Sequence, residues 1–192
     1  MMEETELISR LKDGDYRAFR LIFDKYHPSI LNCCYRFVKS KETAEDLVQE
    51  VFVEVYKSIN SFREESKFST WLYRIAITKS LDHLKSLKRK KRFVFLKSIF
   101  AVGGADAQNI SSDIQNPQKM LEDKERLQVL SMAIESLPEN QKVAFTLSKY
   151  DELSYREIAE ILGTSVSSVE SLIFRAKANL KKKLYRYYIK NI

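Results

Sequence analysis

The sequence predicts an all-α protein: two small helical domains joined by a flexible linker, the C-terminal one carrying a helix-turn-helix. Three observations lead there. Glycine and proline number only 4 and 3 in 192 residues, whereas β-sandwiches and barrels need frequent turn residues. Apolar residues recur at helical spacing, not in alternation. Around Gly103–Gly104 the chain becomes small, polar and almost uncharged, the composition of a flexible connection. The expected boundaries are 1–93 for the first domain, 94–118 for the linker and 119–192 for the second domain.

From residue 5 onward the first domain reads as amphipathic helices. In DGDYRAFRLIFDKY, Asp15 is placed as an N-cap, and Phe19, Ile22, Phe23 and Tyr26 fall on one face. Pro28 suits the first turn of a following helix, PSILNCCYRFVK. In KETAEDLVQEVFVEVYKSI the apolar series Ala44, Leu47, Val48, Val51, Phe52, Val55, Tyr56 and Ile59 is the cleanest helical pattern in the chain. Glu45, Asp46, Gln49, Glu50 and Glu54 occupy its other face. The polar stretch NSFREESKFST then leads to a helix expected from Trp71, capped by Ser69 or Thr70, with a frayed basic end near Lys88–Arg92. Its apolar side is Leu72, Tyr73, Ala76, Leu84 and Leu87. Trp71, Arg74, Thr78, Asp82 and Lys85 gather opposite, and Lys79 belongs to the same basic segment.

Beyond the linker, Pro117 opens the helix QKMLEDKERLQVLSMAIESL, which stops at Leu137-Pro138, and ENQKVAFTLSKY forms another. Next comes LSYREIAEILGTSVSSVESLIFRAK. Ser154 and Glu157 make a capping box for Tyr155–Leu162, with Ile158, Ala159 and Leu162 facing inward. Gly163 falls where a positive φ is needed. A second helix begins near Ser165, and Val169, Ile173, Ala176 and Leu180 cluster on its core side. The other side carries Ser167, Ser168, Glu170, Ser171, Phe174 and Arg175. A short polar face with one arginine suits a helix in a DNA major groove, where arginine grips guanine bidentately. Phe174 would be out of place on a merely solvated face but useful against sugar or a thymine methyl. Lys177 and Lys181–Lys183 are placed to meet phosphates.

The net charge is +7. By region it is +5 over residues 1–92, −1 over 93–118 and +3 over 119–192, which favours anionic partners at both ends. Upstream, Phe62, Arg63, Lys67 and Phe68 precede Trp71 and Arg74. Cations interleaved with flat rings are what an opened strand needs: charge for the backbone, faces for unstacked bases. The only cysteines, Cys33 and Cys34, are adjacent and read as small buried side chains of a reduced compartment. No C-x-x-C accompanies the two histidines, so no metal centre or cofactor is expected. The acidic N-terminus lacks a signal core, and the longest apolar stretch, RFVFLKSIFAV, is interrupted by Lys97 and too short for a membrane span. These features predict a cytoplasmic protein without membrane insertion.

AEDLVQEVFVEVY, FSTWLYRIA and LSYREIAEILGTSVSSVESLIFRAKANLKK, in this order and spacing, resemble the extracytoplasmic-function branch of the bacterial sigma-70 family over nearly the whole chain. The resemblance implies a first domain that binds the clamp helices of the largest subunit of core RNA polymerase and melts the promoter's minus-ten element. It implies a second domain that reads the minus-thirty-five element as duplex. Asp46, Gln49 and Glu50 fall on the implied polymerase surface. Arg63, Lys67, Phe68, Trp71, Arg74, Thr78, Lys79, Asp82 and Lys85 fall on the single-stranded minus-ten surface. Ser167, Ser168, Glu170, Ser171, Phe174, Arg175, Lys177 and Lys181 fall on the minus-thirty-five surface. Thr78 stands where an asparagine is frequent and Glu170 where an arginine is, which bears on the promoter sequence and not on the function. The resemblance is to minimal-length members of the family, which is consistent with regulation by a separate anti-sigma protein.

The alternative is a helix-turn-helix regulator that is not a polymerase subunit. It would need a ligand or phospho-acceptor domain upstream, and residues 1–92 show no βα alternation. A helical adaptor that binds only protein is disfavoured by Arg175 and the basic segments. An enzyme is disfavoured because His27 and His83 lie far apart without a Gly-rich loop or acidic cluster.

Overall fold

The computed structural model describes the backbone of residues 3–100 and 118–190, and side chains over 3–90, 126–187 and at 189. The described regular structure is helical, with no strand. Helices α1 (Glu4–Lys12), α2 (Tyr16–Val38), α3 (Lys41–Ser58) and α4 (Phe68–Phe100) make the first domain, with a 3-10 turn at Ile59–Ser61 after α3. Helices α5 (Gln118–Glu135), α6 (Glu139–Tyr150), α7 (Tyr155–Leu162) and α8 (Val166–Lys190) make the second.

Helix starts follow local chemistry. The Asp15 carboxylate accepts from the backbone N–H of Arg17 and Ala18 at the head of α2, and the Ser40 hydroxyl accepts from Thr43 N–H at the head of α3. Lys39 adopts the left-handed conformation that ends α2. Pro28 does not open a new helix. It lies inside α2, which runs unbroken through it. An interior proline costs about 3 kcal/mol. Ile22 before it and Ile30, Cys33, Cys34 and Phe37 after it are all buried, and each full burial contributes about 1.5–3 kcal/mol, so packing on both sides holds the helix together.

The α3 stripe is core as expected except for Tyr56, which is half exposed and meets Phe19 edge-on at 5.6 Å between ring centroids. Helix α4 starts at Phe68 rather than Trp71, so Ser69 and Thr70 lie in its first turn and do not cap it. It continues through Phe100, so the linker expected from residue 94 is helical over its first seven residues. The rest of that linker, 101–117, lies outside the described residues. Leu87 is exposed, not core. In α7 Ile158 and Ala159 are buried as expected, Leu162 is only partly buried, and Ile161, not singled out from the sequence, is buried too.

The two domains do not sit apart. One apolar cluster runs from Leu7, Leu11 and Ile22 in the first domain through Leu72, Ala76 and Ile77 of α4 to Leu147, Ile158, Val169 and Ile173 in the second. A smaller cluster joins Ala133, Ile134 and Leu137 to Ala176 and Leu180. Among the described residues no helix is long and apolar enough to cross a membrane.

Candidate nucleic-acid interface

The helix-turn-helix is set by three local devices. The Ser154 hydroxyl accepts from Glu157 N–H at 3.3 Å while the Glu157 carboxylate accepts from Ser154 N–H at 2.9 Å, closing the capping box. Gly163 takes φ +62°, and Thr164 N–H returns to the Ala159 carbonyl at 2.9 Å, turning the chain out of α7. Ser165 then accepts from Ser168 N–H at 3.2 Å at the head of α8.

Helix α8 has two unlike sides. Val169, Ile173, Ala176 and Leu180 are buried. Ser167, Glu170, Ser171, Phe174, Arg175, Lys177 and Lys181 are exposed, and Ser168 is half-buried. Phe174 is 75% exposed, a large apolar area in water with nothing covering it. Arg175 Nε donates to the Ser171 carbonyl at 3.2 Å, so the guanidinium lies folded along its own helix.

On α4, Arg74, Thr78, Asp82 and Lys85 form an exposed line, as the helical wheel predicts. The Thr78 hydroxyl donates to the Arg74 carbonyl at 2.9 Å. Trp71 is half-buried, with its ring 5.2 Å from Phe62 and 5.7 Å from Phe68. Phe68 itself is only 2% exposed. The expectation that its face is open to a base is therefore corrected: Phe68 is core, and it supports Trp71 from behind. Lys79 lies toward α3, 3.8 Å from Glu50 and 3.7 Å from Glu54. Arg63 and Lys67 are exposed on the preceding loop. On α3, Asp46, Gln49 and Glu50 are exposed in one line, and Val53, half exposed, extends it.

The structure also brings together residues from the two domains that sequence reasoning did not connect. Lys67 donates to Glu157 at 2.8 Å. That hydrogen bond, with those from the Ser154 side chain and backbone, holds the Glu157 carboxyl down to about 2. Asp151, in the turn between α6 and α7, accepts from Arg36 Nη1 at 2.6 Å and from the Tyr73 hydroxyl at 3.2 Å. Burial raises the Asp151 pKa, while Arg36 and Tyr73 oppose that rise without cancelling it. The same burial, with the Asp151 charge nearby, pushes the Cys33 thiol well up, so it is a protonated core residue. A cavity of about 540 Å³ opens between α4 and the helix-turn-helix, lined by Thr70, Trp71 and Arg74 on one side and Gly163, Thr164 and Ser165 on the other.

Comparison with known proteins gives this geometry a family. Residues 22–90 match the profile of Sigma-70 region 2 and residues 127–180 that of Sigma-70, region 4. The chain is 36% identical over 182 residues to the ECF RNA polymerase sigma-E factor of Escherichia coli strain K12, covering 93% of this chain and 92% of the relative. It is 34% identical over 187 residues to the RNA polymerase sigma-H factor of Pseudomonas aeruginosa, covering 95% and 94%. Among solved structures, CnrH in complex with the cytosolic domain of CnrY shares the fold with a TM-score of 0.66 at 20% identity, over 94% of this chain and 96% of that one. The sigma factor RpoE bound to the anti-sigma factor NepR from Bartonella quintana gives 0.60 at 22% identity, over 87% and 96%. The family matches fall on the two helical units described above, and both relatives align across nearly the whole of both chains: the chain belongs to the extracytoplasmic-function branch of the sigma-70 family, the sigma factors that direct RNA polymerase.

Proposed function

We propose that this sigma factor divides its work among three faces. The α3 line of Asp46, Gln49 and Glu50 docks on the clamp helices of the largest subunit of core RNA polymerase. The exposed line of α4, with the loop before it, captures the minus-ten strand after melting. The outer face of α8 reads the minus-thirty-five element as duplex. The observation that carries this reading is α8 itself: a fully buried stripe opposite a polar face that exposes Phe174 and Arg175. Phe174, 75% exposed beside Arg175, offers an apolar surface within a polar face, and a helix entering a groove gives it a sugar or methyl group to cover.

The chain acts as a dissociable, non-enzymatic subunit of the cytoplasmic polymerase, and a separate anti-sigma protein restrains it. Support for that partner is that one of the solved structures named above is a sigma factor in complex with an anti-sigma factor. Run-off transcription with core polymerase and genomic fragments tests the function. The expected result is new, discrete start sites that depend on the added chain. A helix-turn-helix regulator that is not a polymerase subunit would bind fragments and create none.

A further inference from the structure

Helix α8 carries two apolar lines, and the core accounts for only one of them. Val169, Ile173, Ala176 and Leu180 are buried. At about 100° per residue, Phe174, Ala178, Tyr185 and Ile189 fall within about 60° of one another on the opposite side. All four are exposed, Phe174 at 75%, Tyr185 at 66% and Ile189 at 57%. Exposed cations run along both edges of that line, Lys177 and Lys181 on one, Arg175, Lys182 and Arg186 on the other. No acidic residue follows Glu170 in the chain. Lys183 is not part of this face, because it donates back to the Ser136 carbonyl at 3.3 Å, and Asn179 is turned to Gln141.

Duplex DNA accounts for the first part of this line and not the rest. With a rise of about 1.5 Å per residue, Ile189 stands about 22 Å along the helix from Phe174, and a major groove is about 12 Å wide. A straight helix seated in the groove through Phe174 and Arg175 carries Tyr185 and Ile189 past its edge. Phosphate contacts use cations and polar groups, so they give the isoleucine nothing to cover. An apolar crest with cations along both edges matches a bilayer surface instead. The rings and the isoleucine sink below the headgroups while lysine and arginine reach back to the lipid phosphates. A protein groove would have to be acidic along both walls to offer the same complement.

We infer that the outer face of α8 docks reversibly on an anionic lipid surface, in place of duplex DNA. The helix lies on the surface and does not span it, since no described helix is long and apolar enough to cross a membrane. The exclusion of DNA rests on the α8 reading proposed above, because Phe174, Arg175, Lys177 and Lys181 would serve both surfaces. A chain held on lipid is withdrawn from the minus-thirty-five element.

The test floats the full chain with vesicles of phosphatidylcholine alone and with vesicles of equimolar phosphatidylcholine and phosphatidylglycerol. The chain should float with the anionic vesicles only, and added salt should release it. Tyr185→Ser with Ile189→Ser should lower vesicle binding about tenfold and leave affinity for a duplex pool unchanged. Arg186→Glu should act on flotation in the same direction. These side chains are exposed, so helicity should not change. Anionic vesicles should also displace the native chain from duplex. No flotation, or flotation indifferent to all three substitutions, overturns the docking. Concentration-dependent mass that the double-serine variant loses would then give the face to a second copy, and a monomer that does not float would leave it to an acidic protein. Equal loss of duplex and vesicle binding in the double-serine variant assigns the line to DNA and overturns the docking too. A chain that floats but binds no duplex overturns the α8 reading while the docking stands.

Discussion

Lys67 and Glu157, 90 residues apart in sequence, share one hydrogen bond of 2.8 Å that ties the loop before α4 to the capping box of α7. The carboxyl of Glu157 is held at about 2 against an ordinary 4.5. A depressed carboxyl pKa stabilises the state that depresses it at pH values above the ordinary one, and that contribution fades as pH falls from 4.5 toward 2. The tie is therefore intact at neutral pH. A carbon-detected NMR titration should show Glu157 ionising well below its ordinary value. Lys67→Ala should move the midpoint upward but short of 4.5, because Ser154 still donates to the carboxylate. An unmoved midpoint would assign the whole depression to the capping box. Added salt should weaken the Lys67 part, since Lys67 is exposed.

Charge reversal at Asp46 and Glu50 should weaken binding to core polymerase by a few kcal/mol while leaving helicity unchanged, because several charges desolvated together cost far more than one at the rim. Glu50 also lies near Lys79, so Asp46→Lys alone is the cleaner variant. Equal affinity of the native and reversed chains for core polymerase would remove α3 as the docking surface.

Arg175→Ala should cost about 1–3 kcal/mol at one promoter position and relax preference for that base. Lys181→Ala should weaken all sequences alike and flatten the salt dependence. In the free chain Arg175 is folded onto the Ser171 carbonyl, and it must leave that carbonyl to reach a base. Uniform loss at every site in Arg175→Ala would make it a phosphate contact and shift reading to Ser167, Glu170 and Ser171.

Thr78→Asn should change which minus-ten base is preferred. The threonine hydroxyl is already bonded back to the Arg74 carbonyl, and an amide offers two donors and an acceptor in its place. Permanganate reactivity of thymines near the start site, compared with duplex binding on the same template, separates opening from docking. Normal melting with lost duplex binding would contradict the division of labour between α4 and α8.

The helix-turn-helix was legible almost residue by residue, because its devices are local: Ser154 with Glu157, a left-handed Gly163, and the buried spacing of Val169, Ile173, Ala176 and Leu180. Local rules misplaced what tertiary packing decides. Pro28 reads as a helix start, yet buried neighbours on both sides carry α2 through it. Phe68 reads as a possible base platform, yet the adjacent rings of Tyr26, Phe62 and Trp71 enclose it. Asp151 had no sequence signature at all. Its partner Arg36 is 115 residues away, and an ion pair across that separation leaves no periodicity to read.

The apolar cluster that passes from α1 through α4 into α8 bears on how the molecule comes apart. Two domains with private cores would melt independently, each at its own temperature. Here Leu147, Ile158 and Val169 belong to the same continuous cluster as Leu72 and Val51, so loss of either half strips contacts from the other. Heating should give one cooperative endotherm whose calorimetric and van't Hoff enthalpies agree. Charge changes at the junction should split that single transition into two before they lower it.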